Sequence, residues 1–475
     1  MLKSSFKFTI LLFLAVCLLN SKNCAQSSEL DENNLKTKTQ ESLALNEGPN
    51  VVDEQNSEKP AVGTEESKIQ KDKHIIPVLE LKGGVKQAEE TPKTPLKSWV
   101  TGDYATGDWG GLRTKLEENG INLQTEYTME PFMNLRDRVP VDYFGNLDVT
   151  LELETEKMKL WRGGKFFVYF QQNHGNGITD RYINDIQTLS NIDPGKSYTH
   201  ISEYWYEQGL FDNRFRVKLG KQDANEDFCA LDYAGDHINS SFGLIPTVPI
   251  PTFPNPGLGV ATFIEPIDLI SIGAGFYDGA AKGGTSGFDT AFDNDGGGVT
   301  VVEVNLKPAF GSQKQYPGKY QAGFWHHSGD VDEITLDDPV RTYTSNAGIY
   351  FGAEQLIFKE QKDLEDDQGL AVFGQYGWAP QEKNQIAEYY GIGLSYKGLF
   401  TTRNNDMTGI GTAFARFGRN TERVDRTTGE TVLEFFHKFQ ITPWLAIQPD
   451  LQYIYNPSGT ERDAVAFGIR TKITF

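Results

Sequence analysis

The chain has 475 residues with 65 acidic against 45 basic side chains, and its formal charge of −20 argues against nucleic acid as a partner and against an anion-tuned pore. Only 38% of residues are apolar, mean hydropathy is −0.46, and no segment approaches 18 consecutive apolar residues, so helical membrane spans are excluded. A β-barrel is not excluded, because its strands are apolar on one face only.

In chain order, Lys3 and Lys7 precede an apolar run from Phe8 to Leu19 and a polar stretch from Asn20 to Asn23. This is the pattern of a secretory signal peptide over residues 1–25, with cleavage expected after Ala25. Asn23 departs from the small-residue rule, and lipidation of Cys24 is left open. After cleavage Cys229 is the only cysteine, so no intramolecular disulfide can form. Residues 26–97 hold 14 acidic residues and 10 lysines but no arginine and no aromatic residue. Such a segment cannot bury enough apolar surface to fold and reads as a disordered linker in the periplasm. The first 25 residues carry +3 and residues 26–97 carry −4, so −19 of the charge belongs to the folded part, 98–475.

Gly107–Gly120 reads as a short amphipathic helix over 108–119. Asp108 is its expected N-cap and Gly120 its C-cap, with Trp109, Leu112 and Leu116 on the face that docks on the rim or inner wall of the downstream domain.

From Ile121 onward, period-2 runs alternate with turn-rich breaks. Sixteen runs fall near 121–133, 144–155, 164–173, 200–209, 213–222, 258–264, 268–276, 299–307, 319–327, 346–358, 368–378, 387–397, 409–417, 431–442, 444–455 and 464–475. The alternation is clear in several. Ile121, Leu123, Tyr127 and Met129 interleave with Gln124, Glu126 and Thr128. Leu147, Val149, Leu151 and Leu153 interleave with Asn146, Asp148, Thr150, Glu152 and Glu154. In the last run Val465, Phe467, Ile469, Ile473 and Phe475 share one face, while Arg470 and Lys472 share the other. A Lys or Arg on a lipid face costs roughly 2–4 kcal/mol at mid-membrane, so Arg470 and Lys472 must point inward.

The expected fold is therefore all-β: a sixteen-stranded antiparallel transmembrane barrel in the outer membrane, with a continuous polar lumen. With both termini periplasmic, the long connections His174–Thr199, Asp223–Gly257, Tyr277–Gly298 and Ser328–Ser345 fall on the extracellular side; of the opposite turns, Leu210–Asp212, Glu265–Ile267 and Pro443 are tight, while those near 308–318, 359–367 and 398–408 are longer, and the asymmetry holds on balance. Phe475 then ends the strand that the barrel-assembly machinery engages, and the outer wall meets membrane lipid and lipopolysaccharide. Homo-oligomerisation is left open. Asp223–Gly257 carries Pro246, Pro249, Pro251, Pro254 and Pro256, which stiffen it and deny it ladder hydrogen bonds. This segment and His174–Thr199 are expected to fold into the mouth and narrow the channel.

Gly107–Ile121 (GDWGGLRTKLEENGI) resembles the opening signature of the carbohydrate-selective porins, the OprB-like family. So do Glu203–Gln208 (EYWYEQ), Val217–Asn225 (VKLGKQDAN), Phe253–Gly259 (FPNPGLG), Phe276–Gly279 (FYDG), Gly323–Asp332 (GFWHHSGDVD) and Glu434–Pro457, in the family's order. The resemblance implies a porin for passive diffusion of monosaccharides and similar small carbohydrates.

Passive sugar passage needs weak, replaceable hydrogen bonds and apolar ring faces. Strand alternation phased on Ile201 places Glu203, Trp205 and Glu207 on one face, beside Arg216 and Lys218 of the next strand. An indole flanked by acceptors and donors is the candidate constriction, with Glu126 and Glu152 as further wall candidates. The adjacent His326 and His327 point to opposite faces of a strand, so no metal site is read there and no cofactor is expected. No Gly-x-Ser-x-Gly or Ser/His/acid grouping stands out, so no enzyme is expected. A structural or surface-binding barrel with a blocked lumen remains the alternative.

Overall fold

A computed structural model describes residues 95–137, 141–291, 296–334, 340–361, 366–418 and 427–475. The expected leader over 1–25 and nearly all of the linker over 26–97 lie outside the described residues.

Sixteen long strands form the wall. They are β1 (Ile121–Asn134), β2 (Asp142–Glu154), β3 (Gly164–Gly175), β4 (Thr199–Leu210), β5 (Phe215–Gln222), β6 (Gly257–Ile267), β7 (Ile270–Asp278) and β8 (Gly298–Leu306). There follow β9 (Tyr316–His327), β10 (Asn346–Lys359), β11 (Gly369–Trp378), β12 (Ile386–Lys397), β13 (Met407–Phe417), β14 (Gly429–Thr442), β15 (Leu445–Tyr455) and β16 (Ala464–Thr474). Each pairs antiparallel with the next, and β1 pairs with β16 from Glu126 opposite Thr474 to Asn134 opposite Ala466. That last pairing closes the sheet and leaves it without a free edge.

The alternation in sequence sets which way each strand faces. Leu219, Phe276, Phe351, Ile392, Leu451 and Tyr453 are exposed on the outer wall, forming the apolar surface a bilayer requires. Arg470 turns inward and pairs with Glu130, and Lys472 pairs with Glu126 at 2.7 Å. No helix among the described residues is long and apolar enough to cross a membrane.

Both ends of the described chain meet at one rim. Ala105 N donates to Thr474 O at 2.8 Å, and Trp99 packs on Trp444 with ring centroids 4.6 Å apart. The helices here are α1 (Pro95–Val100) and α2 (Leu112–Glu118). α2 starts later than the sequence predicts, because Gly110 and Gly111 take positive φ of 70° and 91°. Asp108 still accepts from Thr114 N at 2.9 Å. The docking face also differs from expectation: Trp109 and Leu112 stay exposed, while Arg113 is buried. The guanidinium is held 3.6 Å from the Tyr104 ring and 4.1 Å from that of Trp109, and it donates to Phe475 O at 2.9 Å. A cation–π sandwich with a main-chain acceptor holds the helix better than the apolar stripe does.

Connections at this terminal rim include the two-residue links 268–269 and 443–444. The longest connections, 176–198 and 223–256, leave the opposite mouth and fold back inside the barrel. The second carries a short helical turn, α3 (Ser240–Gly243), capped by the Asn239 side chain. Its Phe228, Cys229, Leu231, Phe242, Ile245 and Val248 pack against the inner wall at Phe263, Tyr277, Trp325, Tyr350, Phe373 and Tyr389. The first loop contributes Ile178, Ile183 and Leu189 to a second cluster with Ile238, Val432 and Ile454.

The lumen is thus not polar all round, which corrects the expectation of a continuous polar lining. On β6 to β13 the inward positions hold glycines and large aromatics opposite one another. Gly348 faces Trp325 and Gly323 faces Tyr350 across the ladder, and a Cβ on Gly348 would sit 2.6 Å from the Trp325 ring. Rings laid over glycines make a smooth apolar wall for the loop to cover.

Candidate permeation pathway

The 223–256 loop lies against β6–β15, while the 176–198 loop also reaches Glu130 on β1 and Arg470 on β16, so the uncovered part of the inner wall is the stretch of β16 and β1–β5 nearer the terminal rim. Inward residues there, such as Gln124, Thr150, Lys165, Phe167 and Tyr169, are only partly buried, whereas those under the loops are buried.

The charges on the open wall are satisfied side by side. Glu126 pairs with Lys472 at 2.7 Å and Glu152 with Lys165 at 3.1 Å. Glu207 accepts from Arg216 at 2.6 Å, and the same guanidinium lies 4.5 Å above the Phe263 ring. Asp148 accepts from Asn146, Tyr169 and Gln171, a neutral hydrogen-bonding patch around one carboxylate. Paired charges of this kind leave oxygen and nitrogen atoms able to exchange partners with a polar solute, without a net field that would bind it tightly.

Trp205 turns inward between these pairs. Its indole stacks on Phe167 with centroids 4.7 Å apart at 22°, and Lys218 Nζ lies 4.4 Å from the indole centroid. Among the described residues, Trp205 Nε1 has no hydrogen-bond partner. Lys218 is buried and bonded to Asp227 at 2.9 Å, with Glu226 3.7 Å away. Glu203 is 1% exposed, and its carboxylate accepts from Asp223 N at 2.9 Å.

The seven residues singled out from sequence therefore lie on one continuous wall, but in two layers. Trp205, Glu207, Arg216, Glu126 and Glu152 line the open side. Glu203 and Lys218 sit behind the start of the 223–256 loop and hold it. Two acidic loop residues, Glu226 and Asp227, complete the group and were not singled out, because a loop has no period to orient them. Burial pushes the Glu226 carboxyl up to about 7 and the Lys218 ammonium pulls the other way. Two-fifths of its side chain remains exposed, and solvent there limits the effect of burial, so its titration falls in the acidic-to-neutral range. Burial also holds the loop imidazole of His237 down at about 4, so it is neutral in ordinary buffers.

Phasing on Ile201 does not survive in the structure, although the grouping of Glu203, Trp205 and Glu207 does. Tyr169 is opposite Glu203 but Phe170 is opposite Ile201, leaving Ser202 as a bulge. The extra residue puts Ile201 on the outer wall, 51% exposed, while Glu203 stays inside. His327 binds backbone groups, Nε2 to Gly279 O at 3.1 Å and Nδ1 to Gly329 N at 3.1 Å.

Comparison with known proteins agrees with this architecture. Porin B of Pseudomonas aeruginosa is 24% identical over 430 residues, covering 80% of this chain and 92% of its own. The putative porin QuiX of Acinetobacter baylyi is 22% identical over 420 residues, covering 78% and 93%. The high-pH structure of Pseudomonas putida OprB superposes with a TM-score of 0.71 at 20% identity, covering 79% of this chain and 99% of that one. The family model for carbohydrate-selective porins of the OprB family matches residues 140–475. The chain belongs to that family: it is a sugar porin of the outer membrane.

Proposed function

We propose that monosaccharides and similar small carbohydrates pass along the open half of the lumen, over the Trp205–Phe167 stack. The observation that carries this reading is the placement of an aromatic face between the pairs Glu207–Arg216, Glu152–Lys165 and Glu126–Lys472. A pyranose presents axial C–H groups on one face and hydroxyls around its edge. With Phe167 on one indole face and Lys218 over the other, the edge of the stack meets the first, and the paired charges exchange hydrogen bonds with the second. In this reading Glu203 and Lys218 act indirectly, by fixing where the 223–256 loop begins.

The proposed orientation puts the terminal rim in the periplasm and the looped mouth outside. Its support is the contrast between the two-residue links at the rim and the long connections opposite. The apolar outer face then meets lipid, with lipopolysaccharide around the looped mouth, and β16 offers Phe475 to the assembly machinery.

The test is single-channel current in planar bilayers, titrated with glucose and with an uncharged non-sugar of similar size. Selective block by glucose, weakened in Trp205→Ala, is the expected result. A folded barrel without current would instead favour a blocked lumen with a surface-binding role.

A further inference from the structure

Loop amides are held by carboxylates at several points on the inner wall. Glu303 on β8 accepts from Cys229 N and Glu354 on β10 from Tyr233 N, each at 2.8 Å. Glu354 also reaches the neighbouring Asp232 amide, and on β14 two carboxylates four residues apart each take two successive amides, one pair from each loop. Glu434, fully buried, accepts from Ile238 N at 2.6 Å and Asn239 N at 3.1 Å. Glu430, also fully buried, accepts from Ile186 N at 2.8 Å and Gln187 N at 2.9 Å. The first pair of amides belongs to the 223–256 loop and the second to the 176–198 loop.

One contact with one oxygen lets a loop swivel. Two successive amides on the two oxygens of one carboxylate fix both the position and the direction of the backbone. The four-residue spacing along β14 puts both carboxylates on the inner face, about 13 Å apart. Gln452 of β15 spans the gap, with Oε1 accepting from Asn239 Nδ2 at 3.1 Å and Nε2 donating to Leu189 O at 2.9 Å. The loops are also bonded to each other, through Asn191 N to Ile238 O at 2.8 Å and Ser240 N to Thr188 O at 3.1 Å.

We propose that Glu430 and Glu434, joined by Gln452, are positioning residues for permeation, which clamp the two inner loops to β14–β15 as one body and so set the width of the open half-lumen. The inference rests on the open-channel reading above. A loop released from this clamp carries unbonded amides and has the uncovered, rim-side stretch of the lumen along β16 and β1–β5 to enter.

The experiment is single-channel recording of the full-length porin and of Glu430→Ala, Glu434→Ala, Glu434→Gln and the double alanine variant. Folding of each is checked by heat-dependent electrophoretic mobility. The alanine variants are expected to show new closures, with the closed-time fraction rising at least tenfold. Glu434→Gln keeps the side-chain shape and one acceptor oxygen, so it should fall between wild type and alanine. Because the loops move as one body, the double variant should close little more than either single one, whereas independent loops would add. Wild-type gating in folded Glu434→Ala, or additive closures in the double variant, would overturn the clamp. Should the alanine variants fail to fold, Glu434→Gln decides alone, and wild-type gating in it overturns the proposal. A wild-type barrel that carries no current would instead strike at the channel reading itself.

Discussion

Replacing Arg470 by methionine tests how the barrel seam is held. Arg470 lies on β16 and pairs across the β1–β16 closure with Glu130, which has no exposed side-chain surface. Its Nη2 also donates to Asn191 Oδ1, and Ser190 Oγ donates to the second oxygen of Glu130 at 2.5 Å. Arg470→Met keeps much of the apolar stem but strands a buried carboxylate, a change that costs about 3–5 kcal/mol. On the same face of β16, the Lys472–Glu126 pair is 44% and 27% exposed, and Lys472→Met should cost no more than about 1 kcal/mol. Both variants are measured by denaturant unfolding in lipid vesicles, followed by tryptophan fluorescence. The double variant Glu130→Gln/Arg470→Met removes the stranded charge and should recover most of the loss. Equal stability of Arg470→Met and Lys472→Met would refute the reasoning, because the burial of Glu130 and its loop contacts are what set the two pairs apart.

Other outcomes follow from the same geometry. Trp205→Ala removes a ring stack worth about 1 kcal/mol, so the glucose concentration for half-block should rise about fivefold, with conductance in salt alone little changed. Glu226 gains its negative charge as pH rises through the acidic-to-neutral range, so cation preference, read from reversal potentials in a KCl gradient, should grow from pH 5 to pH 8. Glu226→Gln should flatten that rise, and an undiminished swing would assign it to other carboxylates. Gly348→Val places its Cβ within 2.6 Å of the Trp325 ring and 2.4 Å of Trp378 O, and overpacking should cost about 1–3 kcal/mol in the same unfolding assay.

What the sequence makes legible tracks the size of the penalty behind each pattern. Arg470 and Lys472 could be aimed inward because the lipid alternative costs several kcal/mol, and that one decision fixes the register of a whole strand. The inner wall has no comparable rule. Gly348 and Tyr350 alternate with Ile349 and Phe351, so both faces of β10 are without charge there, and periodicity cannot say which one a loop will cover. Nor does a bulge announce itself: Ser202 is ordinary in sequence, yet it moves Ile201 across the wall while Glu203 stays inside.

An inward carboxylate is the subtler case. Glu203 and Glu207 share one face of a single strand and read identically as lumen-lining acceptors. The first is capped by Asp223 N and the second meets Arg216 at the open wall. The distinction lies in where the 223–256 loop comes to rest, and that is settled by contacts far apart in the chain, from Cys229 N on Glu303 to Asn239 N on Glu434. The prolines state that this loop is stiff and joins no ladder; the wall carboxylates state where backbone amides can be received. Only their coincidence in three dimensions says which stretches of the wall the loops cover. Residues that hold the loops, as Glu203 does, are therefore those that sequence reasoning most readily mistakes for residues lining an open wall.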